Sequence, residues 1–583
     1  MSFTLTHPTS RELTGGDLLA QSLKHIGVEV AFGLHGGHLD VFLMGCDTAG
    51  IRLIDTRHET VAVQAAEGYA KIAQKIGVCF VTANSGFSNG IPGLATAFAD
   101  RSPILCITSS VPLRDAENNS LQGALDQVVV SRPVTKFAYR VMNAEDAPRI
   151  VSFAVRTALA GAPGPALLDF PIDVLFSPVH EKLISWGSIR RLALKETVAL
   201  LQTASRPAVI IGSGGQWKEI KTTTALLHLS KTTHPPIFDT QKCTLSLTLA
   251  SECPLYGGGA DILALLPALN HPQPDLILLL GARTGMYLGG RSGAIIPPHE
   301  KSELIHVDLD GGEIGRTLPV DLGVVSDVGQ FVEGVNTLLS SSTTSQQDMV
   351  DEDWVNTAIK LKSLPSPFAT DSPTTPSGLM HPYHALRELF TSLPNNPILI
   401  TDGGETALWA SNTSHLCSPT ATLKSTSALG FLGNGFGYAL GAALAAPEKR
   451  VINIQDDGSA GFHFMELDTY KRHNLDIWTV VVNNHAWGMS VNGQELVYGR
   501  GNERRLISGL SAEMGFGVVA GGLGLGKRGV KVSKVEDVRG VVEQLRGGRG
   551  PTCIELVVDK RPIHPNVVVV PYYDNIPRAH YKD

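Results

Sequence analysis

Two short runs in the last third of the chain place oxygen ligands at a chemically meaningful spacing. Asp456-Asp457-Gly458-Ser459 follows the apolar stretch Val451 to Ile454, and Asn483-Asn484-His485-Ala486 follows Trp478 to Val482. Twenty-four residues lie between Gly458 and Asn483, room for one crossover helix between neighbouring parallel strands. Both strands then deliver their ligands at their carboxyl ends, where open α/β sheets bind small molecules. One carboxylate, one amide oxygen and a loop carbonyl suit Mg²⁺, a hard ion that keeps its other positions for phosphate oxygens and water. Each motif alone reads as an ordinary turn; the joint spacing is what points to a site.

A second set lies near the start. Ile51 to Asp55 leads through Thr56-Arg57-His58 to Glu59, the first residue of an Ala-rich helical stretch running to Ala73. Val61, Ala65, Ala66, Tyr69 and Ala70 share one stripe of that helix, the pattern of a helix packed on a sheet. Taken alone, Glu59 is a first-turn acid favoured by the helix dipole. His35 and His38 sit among glycines after Val30-Ala31-Phe32. Such a pair can hydrogen-bond a hydroxyl and relay protons near neutral pH, or simply meet water in a turn.

The elements that must position these residues recur in three blocks. Val78 to Thr82, Ile104 to Thr108 and Ala166 to Phe170 read as strands apolar on both faces, alternating with helices. The rhythm restarts at Ala208 to Ile211, Leu276 to Leu280 and Leu304 to Val307, and again at Ile398 to Thr401, Val451 to Ile454 and Thr479 to Val482. The fold class is therefore α/β, with three consecutive open parallel-sheet domains. Ser340 to Gln347 and Asp371 to Gly378 bury too little apolar surface to order themselves and read as linkers, with a weaker joint near 180 to 195. Boundaries follow at 11–182, 195–340 and 379–562, with a tail at 563–583.

Composition narrows the function classes. The chain has 583 residues, 43% hydrophobic and 18% charged, a globular balance. A net charge of −7 and pI near 6.3 lack the positive footprint of a nucleic-acid binder. The apolar runs are too short to span a bilayer, residues 1 to 15 lack a signal-peptide pattern, and the seven cysteines show no C-x-x-C. These features point to a cytoplasmic enzyme with reduced thiols, no membrane and no nucleic acid. Gly524-Leu525-Gly526-Lys527-Arg528-Gly529 matches G-x-G-x-x-G, but Val530-Lys531-Val532 reads as a strand where a dinucleotide site needs a helix, so it is taken as a loop.

Asp-Gly-x24-Asn-Asn in a C-terminal α/β block, with Arg57-His58-Glu59 before Ala65-Ala66-Glu67-Gly68-Tyr69-Ala70 in an N-terminal one, resembles the thiamine-diphosphate enzymes of the acetolactate synthase and pyruvate oxidase type. Within that group, Phe32-Gly33-Leu34-His35-Gly36-Gly37-His38-Leu39-Asp40, Leu113-Arg114-Asp115 and Leu121-Gln122-x-x-Leu125-Asp126-Gln127 are most similar to benzaldehyde lyase. The resemblance implies a pyrimidine-binding first domain, a central scaffold and a diphosphate-binding third domain. Glu59 would bond the aminopyrimidine N1′ of the cofactor; His35, His38 and Gln122 would face the substrate. Asp457 and Asn484, with the Ala486 carbonyl, would hold Mg²⁺. Gly403, Gly404, Thr406, Gly458, Ser459, Trp487 and Gly488 would complete the cofactor site, and Leu432 would bend the cofactor. Family members form this site between subunits, implying a homodimer or homotetramer.

The implied activity is a Mg²⁺- and thiamine-diphosphate-dependent carbon–carbon lyase or carboligase, forming or cleaving 2-hydroxy ketones from aldehydes or 2-keto acids. Alternatives are a 2-keto acid decarboxylase or acetolactate synthase-like enzyme, and a catalytically degenerate regulatory homologue. A 2-hydroxyacyl-CoA lyase is disfavoured by the Leu34-His35-Gly36 turn. There are departures. Asp456 stands where the family has glycine, and a carboxylate there would repel a diphosphate unless it points away. Ala407, Ile172 and Thr426 stand where benzaldehyde lyase has tyrosine, tryptophan and histidine, so benzaldehyde is not carried over as substrate.

Overall fold

In a computed structural model of the chain, the described residues are 13–113, 125–179, 196–215, 219–240, 252–285, 288–290, 292–310, 313–314, 318, 320–340, 350–364, 366–394, 396–426, 429–498 and 507–564. Three six-stranded sheets, all of their pairings parallel, follow one another along the sequence. The first holds β1 (Val30–Gly33), β2 (Arg52–Asp55), β3 (Gly77–Val81), β4 (Ile104–Ser110), β5 (Phe137–Arg140) and β6 (Ala166–Pro171), in the order β2-β1-β3-β4-β6-β5. The second holds β7 (Pro207–Ile211), β8 (Ile237–Asp239), β9 (Tyr256–Gly259), β10 (Leu276–Leu280), β11 (Glu303–Asp308) and β12 (Leu322–Val325), ordered β12-β11-β10-β7-β8-β9. The third holds β13 (Ile398–Thr401), β14 (Ala421–Lys424), β15 (Val451–Asp456), β16 (Ile477–Asn483), β17 (Gly529–Val532) and β18 (Thr552–Val557), ordered β14-β13-β15-β16-β18-β17.

The inner strands β3, β4, β10 and β16 are buried at every residue, as strands covered by helices on both faces must be. Six helices carry or flank the candidate residues: α1 (Glu59–Ala73), α2 (Ser85–Ala99), α3 (Glu405–Thr413), α4 (Asn434–Ala445), α5 (Asp457–His463) and α6 (Gly488–Tyr498).

The chain divides into two compact units. One comprises Met1–Ile189 with Ser427–Ala445; the other comprises Arg190–Thr426 with Ala446–Asp583. Helix α4 therefore belongs with the first sheet, although its sequence lies within the third block. In the first unit it packs on α1 at backbone contact: a methyl on Gly68 would come within 2.7 Å of Tyr438 Cα, and one on Gly441 would overlap the Ala65 carbonyl oxygen.

Two expectations change. Asp371 to Gly378 is anchored rather than a free linker: Thr375 and Ser377 hydroxyls each donate to Asp559 Oδ2 over 2.6 Å, and the Thr375 side chain is buried. Buried hydrogen bonds to a carboxylate supply there the ordering that apolar burial does not. The Gly524–Gly529 run forms two short helical turns before β17, with Gly524 at φ 96° and Gly526 at φ 56°. It still leads into a strand. Ser340 is described, but Ser341 to Gln347, the 180–195 joint and the tail beyond His564 lie outside the described residues, as does Cys243; the other six cysteines are free and buried.

Candidate active site

In the first unit, β2 delivers the chain to Thr56-Arg57-His58. His58 has extended backbone and its Nδ1 accepts the Thr60 N–H over 3.2 Å, capping α1. Glu59 is thereby fixed as the first helical residue, only 7% exposed. Asn89 Nδ2 on α2 donates to Glu59 Oε2 over 3.0 Å, and the Thr60 hydroxyl donates to the Asn89 main-chain oxygen.

After β1 the chain makes a tight path through Gly36, where a side chain would collide with Thr82 Oγ1. This turn carries both histidines. His35 is exposed, its Nε2 2.9 Å from Asp40 Oδ1. His38 is half-buried; among the described residues its Nδ1 is buried without a hydrogen-bond partner, and burial pulls its pKa down. Thr82 Oγ1 is likewise buried without a partner. Unsatisfied buried polar atoms are costly, and here they are what a polar ligand would satisfy. Gln122 lies outside the described residues. Leu432 is half-buried just before α4.

In the second unit, β15 and β16 are adjacent and in register from Val451–Ile477 to Asp456–Val482. Their carboxyl ends bring the two ligand candidates together. The Ala486 N–H lies 3.1 Å from Asp457 Oδ2 and 3.0 Å from Asn484 Oδ1, so both side-chain oxygens converge on one point of the 484–486 turn. Burial, reinforced by the neighbouring Asp456, pushes Asp457 up to about 7. That donor set fits Mg²⁺, which takes one or two carboxylates and completes its shell from phosphate and water. No group of three or more His, Cys, Asp or Glu among the described residues could hold a metal by itself.

Around this point glycines let the backbone pack close to neighbouring side chains. A methyl on Gly458 would sit 2.6 Å from the Trp487 ring, and one on Gly404 would sit 2.5 Å from Met489 Sδ. Gly403 has φ 90°, a conformation that favours glycine. Ser459 and Thr406 are buried, and Gly488 lies against Glu405, where a methyl would be 3.0 Å from Oε2. A cavity of about 430 Å³ opens beside Asp457 and Gly458, walled by Phe462, Trp487, Leu510 and Phe516.

Asp456 does not point into open space. Its Oδ1 accepts the Ser459 N–H over 2.5 Å and its Oδ2 the Gly404 N–H over 3.1 Å, so it caps α5 and ties it to the turn before α3. The sequence flagged the extra charge but not this bridge. It also missed Asn89, thirty residues from Glu59; the glycine-rich stretch Ser85 to Gly93 was the available signal for a close helix contact there.

Three family models match the chain in order: thiamine pyrophosphate enzyme N-terminal TPP-binding domain over residues 13–130, central domain over 194–335, and C-terminal TPP-binding domain over 402–556. Among similar proteins, the acetolactate synthase large subunit IlvG of Mycobacterium tuberculosis is 29% identical over 565 residues, covering 95% of this chain and 98% of that one. The 2-hydroxyacyl-CoA lyase 2 of Caenorhabditis elegans is 29% identical over 538 residues, covering 81% and 78%. The chloroplastic acetolactate synthase of Arabidopsis thaliana is 28% identical over 562 residues, covering 93% and 81%. With three matching domain models on three parallel sheets, the chain belongs to the thiamine pyrophosphate enzymes.

Proposed function

We propose that the protein is a Mg²⁺- and thiamine-diphosphate-dependent carbon–carbon lyase or carboligase that forms or cleaves 2-hydroxy ketones. The observation that carries the cofactor assignment is the convergence of Asp457 Oδ2 and Asn484 Oδ1 on the Ala486 N–H at the ends of adjacent strands. Asp457, Asn484 and the Ala486 carbonyl would hold the metal, while Gly403, Gly404, Thr406, Gly458, Ser459, Trp487 and Gly488 would line the diphosphate side. Bound thiamine diphosphate would supply a nucleophilic carbon.

The chain's own residues would do the rest. Glu59, buried with one neutral partner, holds or releases a proton at the aminopyrimidine; a carboxylate in a dry pocket is suited to that exchange. His38, neutral and with Nδ1 unsatisfied, can bond a substrate oxygen. His35, held by Asp40, is the outer relay. Leu432 would support the bent cofactor. A homodimer or homotetramer with the site between subunits is part of this proposal and follows the resemblance.

Glu59→Gln tests it. The variant is expected to fold and lose nearly all turnover; full activity would refute the mechanism. A second reading, acetolactate synthase-like chemistry on the same residues, is favoured by the names of the relatives. Carbon dioxide release from a 2-keto acid donor, measured across a panel of keto acids and aldehydes, separates the two. Calorimetry with thiamine diphosphate and Mg²⁺ tests whether the cofactor binds; no binding would favour a degenerate regulatory homologue.

A further inference from the structure

Among the described residues, the Glu59 side chain has one hydrogen bond, from Asn89 Nδ2 to Oε2. Glycines bring α2 close enough to make it. A methyl on Gly93 would lie 2.6 Å from Val63 Cβ, and one on Gly86 would lie 3.3 Å from Glu59 Oε1. Asn89 holds the next residue as well, since its main-chain oxygen accepts the Thr60 hydroxyl. One residue of α2 thus grips two successive residues in the first turn of α1.

The chemistry of this partner matters. A cation beside Glu59 would hold it firmly ionised and weaken it as a base, whereas an apolar neighbour would leave its orientation unfixed. A carboxamide does neither. It is neutral, it donates one N–H, and it fixes Oε2. Oε1, beside the bare backbone of Gly86, has no partner among the described residues.

We infer that Asn89 is a positioning residue that, by holding Oε2, selects Oε1 of Glu59 as the proton-holding atom. The inference rests on the proposed role of Glu59 toward the aminopyrimidine. Oε1 would be the atom that takes up and returns a proton toward the aminopyrimidine, while Oε2 keeps the Asn89 N–H.

The test compares the parent, Glu59→Gln, Asn89→Ala and Asn89→Asp, each loaded with thiamine diphosphate and Mg²⁺. Circular dichroism of the bound aminopyrimidine is followed against pH, alongside kcat and KM. Asn89→Ala is expected to raise the spectral midpoint by about one pH unit, because a hydrogen bond to a charged group is lost. It is expected to lower kcat about tenfold or more with KM changed less than about threefold. Asn89→Asp is close in shape and sets a second carboxylate against Oε2, so its midpoint rises further. Midpoints in both Asn89 variants that match the parent overturn the inference. If Glu59→Gln also titrates like the parent, the role of Glu59 falls with it; if Glu59→Gln abolishes the titration and the Asn89 variants do not move it, only the role of Asn89 falls.

Discussion

Lys71 Nζ donates to Tyr438 Oη over 2.8 Å, although 367 residues separate the two in sequence. The same ammonium lies 2.9 Å from Glu67 Oε1 and 3.1 Å from Asp100 Oδ2, and the Ser102 hydroxyl donates to Glu67 over 2.7 Å. Burial works against the charge on Lys71, but Glu67 and its neighbours outweigh it and hold the ammonium well above the ordinary lysine range. This buried cluster locks α4 onto α1 inside the first unit.

Removing the cation should therefore be severe. Lys71→Ala leaves the buried Glu67 without the ammonium it pairs with, an expected loss of about 3–5 kcal/mol in chemical denaturation. Combining Lys71→Met with Glu67→Gln removes both charges and should recover a good part of it.

The helix contact itself offers a second check. Gly441→Ala places a methyl onto the Ala65 carbonyl oxygen, and the packed backbones cannot yield by a side-chain rotation. We expect a drop of at least about 1–3 kcal/mol, read as a lower melting temperature. A melting temperature equal to the parent would mean that α4 does not pack on α1 as described.

Asp456 should limit cofactor affinity. It occupies two backbone N–H groups, at Gly404 and Ser459, and brings a carboxylate to a site expected to take a diphosphate. Asp456→Ser keeps a helix cap while removing the charge and the Gly404 bond. Calorimetry should show thiamine diphosphate with Mg²⁺ binding about tenfold tighter, the effect of roughly 1.4 kcal/mol of relieved repulsion. Weaker binding would instead make Asp456 a necessary brace between the two turns.

The cofactor-free protein should lose stability as pH rises. Burial pushes Glu405 up to about 7, partly offset by the His564 N–H at 2.6 Å and Asn492 Nδ2 at 3.1 Å. An ordinary glutamate titrates near 4.3, so the folded chain binds the extra proton. The stabilising contribution is complete below about pH 4 and disappears as pH climbs through 7. Glu405→Gln should flatten the melting-temperature slope between pH 5 and 8 and gain up to about 3 kcal/mol at the upper end. An unchanged slope would show that Glu405 is ionised at no cost.

Local features were legible from sequence because they depend on local chemistry. The Glu59–Ala73 helix has the bounds its apolar stripe indicates, and strands such as Leu276–Leu280 and Ile398–Thr401 match their apolar runs. The convergence of Asp457 and Asn484 was legible because their spacing reflects one crossover between adjacent strands. What stayed hidden depends on contacts between distant residues. The glycines around Asn89 signal a close helix contact without naming Glu59 as its partner, and nothing near Tyr438 points at Lys71. Asp371 to Gly378 looked unanchored because Asp559, which holds it, comes almost two hundred residues later.

The pairing of α4 with α1 also bears on how the molecule can be taken apart. Excising residues 13–179 would leave Ala65 and Gly68 facing water and Lys71 without its phenol partner. A viable miniature would need the twelve residues Asn434–Ala445 stitched back on, so shuffling such enzymes by swapping whole sequence blocks would tear this seam unless both pieces come from one parent.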